Sequence, residues 1–509
     1  MITSTHPKQT TIVHTRNKDF KQRMKKAEVV LIPLPAMGHI VAVVEIAKLL
    51  VQRDDRLYTT VLVMHPTLDP STTKYNESLA ASTLPDRMRV INLPRVESIT
   101  SDTKPNNWLS SLVEGQKPHV KEYVSKIRTQ SELSLDAPRL AGFIFDSFVT
   151  GLKEVANEFG LPWYAFSASG AAFLGCLLHL QALHDEGADL TEFKNSDVEL
   201  RIPSLVNPFP AKLLPSVLFE KESITTILEQ PRALAEARGI LVNTFLEFES
   251  HAISSLSDGR TPPIYPVGPI VKHKRDGHDV GSEGSNSYRN IIEWLDDQPP
   301  SSVLFLCFGS GGSFRENQVK EIACALEKCG HRFLWSLRKP PPRGKWEYSP
   351  SDYANFQEIL PKEFLNRTAK IGKVIGWAPQ VDILAHPAIG MFASHCGWNS
   401  ILESIRFGVP IVAWPLYAEQ QFNAFQMVIE LGLAVEIKMD CRENSHGDNE
   451  INVSADGIMK AIEHVMEQGK EIRKKVKEMR RISEKTLTAG GCSYSSLGRL
   501  ADDIIDNQP

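Results

Sequence analysis

The stretch Ser394-His-Cys-Gly-Trp-Asn-Ser400 lies between an apolar run, IGMFASH (389–395), and a segment with helical spacing. The start of a helix offers free N–H groups and the positive end of its dipole to an anion. The His395 imidazole and the Ser400 hydroxyl can help a diphosphate bind there without a metal. Asn399 and Ser400 are equally the residues that cap a helix, so these types alone leave both readings open. A second histidine, His39, occupies a similar place in Pro35-Ala-Met-Gly-His-Ile40, after the apolar AEVVLIPL and before the helix-like VAVVEIAKLL. Strand ends that lead into helices are where parallel sheets carry ligands and chemistry. A lone histidine at such a point more often has a structural role.

Other chemistries are poorly supported. The nearest approach to G-x-G-x-x-G is Gly309-Ser-Gly-Gly-Ser-Phe314, which lacks the last glycine, and no G-x-x-x-x-G-K-[ST] occurs; both dinucleotide oxidoreductases and P-loop ATPases are disfavoured. H-E-x-x-H, G-x-S-x-G and an Asp-x-Asp pair are also absent, so a bound diphosphate must be neutralised without a metal-holding acidic pair. His65, His179 and His386 show no metal-ligand spacing, and no metal site is expected. A net charge of -4 over 509 residues supplies no basic field for nucleic acid. No apolar run reaches the roughly 18 residues of a membrane span. Seven cysteines, odd in number and without a C-x-x-C pair, suit a reducing compartment, taken as the cytoplasm.

At this length two domains are expected. From residue 28 onward, short apolar runs alternate with helical stretches, the pattern of parallel β/α units. Strands are predicted at 28–34, 59–64, 89–94, 140–146, 162–167, 239–249 and 264–270, and in a second series at 302–309, 333–337, 372–377, 389–395 and 410–415. These define a first Rossmann-like domain over 28–270, a polar linker over 271–288 and a second Rossmann-like domain over 289–485. A charged helical region with a break at Gly490-Gly491 ends the chain. Residues 1–27 are rich in Thr, Lys and Arg, lack a secretory core and read as a disordered extension, with an organellar transit peptide as the alternative.

Residues 377–420, WAPQ through HCGWNS to AEQ, resemble the 44-residue signature box of plant secondary-product UDP-glycosyltransferases. The likeness extends to PxMGHI, to LCFGS (306–310) and to GHRFLWSLR (330–338), and so covers nearly everything from 28 onward. It implies a GT-B fold, two Rossmann-like domains facing across a cleft, with the acceptor mainly in the first, the UDP-sugar mainly in the second and 486–509 crossing back onto the first. Carried over by residue, Trp377 would stack on uracil, Ala378 and Gln380 would contact base and ribose, and Glu403 would accept from the ribose hydroxyls. Ser310, His395, Asn399 and Ser400 would hold the diphosphate, while Trp398, Glu419 and Gln420 would line the sugar. Gln420 resembles glucose users, where galactose users often have His.

The resemblance also makes His39 the general base and Asp146, at the end of LAGFIFD, its orienting partner. The chemistry agrees: an imidazole with an ordinary pKa of about 6.5 can take a proton from a hydroxyl at cellular pH. Gly38, Ser169, Tyr417 and Ala418 are placed beside the acceptor. Some positions depart from the family pattern. Ala168-Ser169 stands where many relatives have Thr-Ser, Gly311 replaces a larger residue, and Ile401 stands where Thr is frequent.

The function implied is inverting, metal-independent O-glucosylation, with UDP-glucose as co-substrate and no further cofactor. Its acceptors would be small lipophilic flavonoids, phenylpropanoids or terpenoids, read by variable loops at about 70–110 and 180–220. The chain is expected to act as a monomer. A non-catalytic UDP-sugar binder on the same fold would have lost His39 or Asp146, and a serine hydrolase would need an elbow serine that is not present.

Overall fold

The computed structural model describes residues 26–65, 70–96, 105–134, 136–271, 282–342, 350–440 and 452–507. Nearly all of the extension at 1–27, most of the linker at 271–288, Cys441 and part of the 70–110 loop lie outside the described residues.

Two all-parallel sheets carry the chain. The first orders its strands Met88–Asn92, Leu57–Val63, Ala27–Ile32, Arg139–Asp146, Trp163–Ser167, Ile240–Val242 and Ile264–Pro266. The second runs Gly372–Ile375, Arg332–Ser336, Val303–Cys307, Ile389–Ser394, Ile411–Ala413 and Ala434–Glu436. Central strands such as AEVVLI and IGMFAS are buried at every residue, which is why they read as continuous apolar runs and not as alternating ones. Each fully buried aliphatic or aromatic side chain there contributes about 1.5–3 kcal/mol of transfer free energy.

In chain order both sheets begin 3-2-1-4-5-6, so each reverses direction between its first and fourth strands. Such a reversal opens a crevice at the carboxyl ends of those two strands. In the first sheet these are Ala27–Ile32 and Arg139–Asp146; in the second, Val303–Cys307 and Ile389–Ser394.

Three elements differ from the sequence expectation. The strand predicted over 239–249 stops at Val242. There Asn243 turns out of the sheet, its Oδ1 accepting from Ile270 N–H at 2.8 Å and its carbonyl from the Trp398 indole. A sixth strand of the second sheet, Ala434–Glu436, is only three residues long and gave no recognisable run. The helix expected after Ile40 starts earlier, at Met37, so His39 lies in its first turn.

The final helix, Cys492–Asp506, leaves the second half and packs on the first. Leu497, Leu500, Ala501, Ile504 and Ile505 join the apolar cluster around Ala27–Ile32 and Met37–Arg53. Arg53 donates to the Tyr494 carbonyl at 3.2 Å with its guanidinium 4.2 Å from the Tyr494 ring, and Asp503 accepts from Arg238 at 3.0 and 3.1 Å and from the Tyr164 hydroxyl. Behind the cleft, aromatic rings bridge the halves: Phe422 lies 5.4 Å from Phe173 and 5.0 Å from Phe209.

Candidate active site

At the first switch point His39 follows the strand Ala27–Ile32 and Asp146 ends the strand Arg139–Asp146. The imidazole Nδ1 lies 2.7 Å from Asp146 Oδ2, and Asp146 Oδ1 accepts from the Phe148 N–H at 3.0 Å. The carboxylate is fully buried and both its oxygens are engaged. Because an ionised carboxylate can only accept, Nδ1 carries the proton and Nε2 is left with a lone pair. Phe148 meets the ring edge-on at 5.6 Å. Burial pulls the His39 pKa down, but the charge and hydrogen bond of Asp146, with a smaller contribution from Glu419, outweigh it and leave the pKa above its ordinary value. Glu419 belongs to the other half of the chain; burial raises its own pKa.

At the second switch point stands the other histidine. His395 is 7% exposed, and burial with no charge partner pushes its pKa down to about 4. It is therefore a neutral ring at cellular pH. Two glycines make its slot: a Cβ on Gly309 would come within 2.7 Å of the ring, and one on Gly397 within 2.5 Å. Nδ1 is buried without a partner. Buried polar atoms are almost always satisfied in a working protein, so the slot is suited to a polar ligand or to water. The helix Trp398–Phe407 begins beside it, with no side chain capping its first turn.

The remaining expected donor residues cluster around this helix start. Gln380 Nε2 donates to Ser400 Oγ at 2.9 Å and to Glu403 Oε2 at 2.7 Å. Trp377 is 55% exposed, an open face for stacking, while Ala378 is buried beside it. Ser310 is exposed after the strand Val303–Cys307. Asn399 Nδ2 reaches across the cleft to the Gly38 carbonyl at 3.1 Å, and its Oδ1 is a buried atom with no partner. This contact puts the helix Trp398–Phe407 next to the residue preceding His39. Gln420 is buried, its Oε1 accepts from Leu416 N–H at 2.9 Å and Tyr417 N–H at 3.0 Å, and its side chain also hydrogen-bonds the Tyr417 hydroxyl. Tyr417 lies over Gly311, where a Cβ would meet its hydroxyl at 2.6 Å, so the small residue at 311 accommodates a large one at 417. Ala418 has a positive φ of 55°. Ser169 is partly exposed, its carbonyl accepting from Ser167 Oγ at 3.2 Å.

Trp398 departs from the sequence reading. Its indole is 3% exposed and donates to the Asn243 carbonyl at 2.7 Å. The ring lies 5.8 Å from Phe248, in a slot where a Cβ on Gly170 would come within 2.6 Å of it. The side chain expected to line the sugar instead wedges the two halves together; only its main-chain N–H, at the helix start, remains for a ligand. Sequence reasoning also passed over Glu249, which is buried, accepts from the N–H groups of Ala171 and Ala172 at 2.9 Å and from Gln426 Nε2 at 2.8 Å, and so links the halves a second time. Asn423 was passed over too, although a polar residue inside QFNAFQM signals a buried group in need of partners.

Among the described residues, no group of three or more His, Cys, Asp or Glu could hold a metal ion. No described helix is long and apolar enough to cross a membrane.

Comparison with known proteins bears on the family and the fold. A family model described as UDP-glucoronosyl and UDP-glucosyl transferase matches residues 290–482. UDP-glucose flavonoid 3-O-glucosyltransferase 6 of Fragaria ananassa is 54% identical over 489 residues, covering 94% of this chain and 99% of its own. Among solved structures, a UGT transferase from Siraitia grosvenorii in complex with UDP superposes with a TM-score of 0.83 at 43% identity, covering 94% of this chain and all of that one. Medicago truncatula UGT71G1 complexed with UDP-glucose does so at 0.80 and 36% identity, over 94% of this chain and 99% of that one. The chain belongs to the family of UDP-glucuronosyl and UDP-glucosyl transferases. It is thus a UDP-glycosyltransferase with the GT-B fold.

Proposed function

We propose that this transferase moves glucose from UDP-glucose to a hydroxyl of small lipophilic plant metabolites, flavonoids first among them, with inversion at the anomeric carbon. The observation that carries the reading is the His39–Asp146 contact of 2.7 Å at one switch point, linked through Asn399 and the Gly38 carbonyl to the helix start at the other. The Fragaria relative's flavonoid acceptor and the UDP-glucose held by the Medicago structure support the substrate classes.

In this reading the first half, 28–270, presents the acceptor and the second, 289–485, holds the donor. The acceptor O–H gives its proton to His39 Nε2 as its oxygen bonds to the anomeric carbon. The bond from that carbon to the diphosphate oxygen breaks, and UDP leaves with the electron pair. Attack from the face opposite UDP inverts the configuration. Asp146 fixes the tautomer and stabilises the imidazolium. Neutral His395, Ser310 and the N–H groups opening the helix Trp398–Phe407 receive the diphosphate charge, with no metal called on. Trp377 stacks on uracil, and Glu403, braced by Gln380, accepts from the ribose.

The test is incubation of purified protein with UDP-glucose, EDTA and a panel of flavonoids, phenylpropanoids and terpenoid alcohols, read by mass spectrometry. A product heavier by one hexose, formed with chelator present, is expected. Product only after a divalent metal is restored would overturn the metal-independent mechanism. UDP binding without any product would direct the search to other acceptors.

A further inference from the structure

The turn at 395–397 is strained at its centre. Cys396 has a φ of 61° and is fully buried. Residues other than glycine avoid this left-handed region, and one persists there only where its surroundings over-determine it. The Trp414 N–H reaches the Cys396 thiol, and three more contacts engage the turn. Ser394 Oγ accepts from the Cys396 N–H at 3.2 Å, and the Cys396 thiol lies 3.7 Å from the Ser394 carbonyl. Both come from the residue two positions back and move with the turn. The third comes from a separate element: Asn423 Nδ2 donates to the Cys396 carbonyl at 3.0 Å.

Asn423 lies on the short helix Gln420–Phe425 and is itself fully buried. Its carboxamide also hydrogen-bonds the Glu419 carboxylate, while its Oδ1 has no partner. The same helix supports the second left-handed residue of this region, Ala418, because Gln420 Oε1 takes the N–H groups of Leu416 and Tyr417. One helical turn thus braces both loops on the donor side with carboxamides.

We propose that Asn423 is a positioning residue: by holding the Cys396 carbonyl it fixes the turn that aims His395 and the start of the helix Trp398–Phe407 at the UDP diphosphate. The inference rests on the donor-site reading above. Its logic predicts a specific rescue, because glycine adopts a positive φ without help. A turn with glycine at 396 no longer depends on the amide.

The experiment measures UDP binding by calorimetry for the wild type, N423A, C396G and the double variant, with thermal melting as a check on folding. N423A is expected to bind UDP about tenfold more weakly, from the loss of the hydrogen bond to the Cys396 carbonyl and the restraint it provides. Its donor KM should rise while the acceptor KM stays unchanged. The double variant is expected to bind UDP within about twofold of C396G alone. A folded N423A that binds UDP like the wild type overturns the proposal, and so does a tenfold deficit that C396G leaves untouched. If N423A fails to fold, the double variant is compared with C396G alone; a double variant that also fails to fold overturns the proposal too. Absence of UDP binding in the wild type would defeat the donor-site reading itself, a separate outcome.

Discussion

The two halves repeat one sheet order, and each places a histidine at the point where that order reverses, yet the two rings stand in opposite surroundings. His39 has a buried carboxylate behind it at 2.7 Å and a pKa held above the ordinary value. His395 has no charge near it and a pKa depressed to about 4. The surroundings of the first ring suit the proposed role of accepting a proton and being stabilised once charged. The second stays neutral at cellular pH, which suits its proposed role as a hydrogen-bonding group beside the diphosphate. Placement in the fold makes both available; what stands behind the ring decides what each can do.

Three changes test that contrast. The largest effect is expected for His39→Ala, which should lower kcat by about 10³-fold while leaving UDP affinity within error. Equal loss of UDP binding would mean the ring belongs to the donor site. Asp146→Asn comes next. It keeps the shape but removes the charge, and should lower kcat about 10²-fold. The pH profile gives the sign. Neutral His39 predominates only above its raised pKa, so kcat/KM should fall as pH drops through a value above 6.5. In Asp146→Asn that acid limb should move to lower pH, and an unmoved limb would assign it to another group. The smallest effect is expected for His395→Gln, which trades one neutral polar group for another. UDP affinity should fall only about threefold and the acid limb should stay in place. A shifted limb would show that His395 titrates in the working range.

Much of this contrast could be read in the residues. Runs such as VVLI and IGMFAS are buried on both faces, so their composition alone marks parallel central strands, and the spacing between runs marks the crossover helices. The pairing of His39 with Asp146 spans 107 positions and came from family likeness, not from any local pattern. Where a side chain serves a distant partner, the local pattern misled or was silent. Trp398 sits in a motif associated with the donor, but its indole answers to a carbonyl 155 positions away. The strand expected through Glu249 ends at Val242 because the following residues are drawn toward the other half. Asn423 looks like an ordinary interruption of an apolar helix until the Cys396 carbonyl opposite it is seen.

The return of the terminal helix bears on how such enzymes can be recombined. An exchange of first halves between relatives, cut at residue 271, would divide the protein by chain order and not by contact. The host's last helix would then meet a foreign partner at Arg53, Tyr164 and Arg238, where Tyr494 and Asp503 now seat it. The natural module for grafting is discontinuous: the first half of the chain together with its final helix.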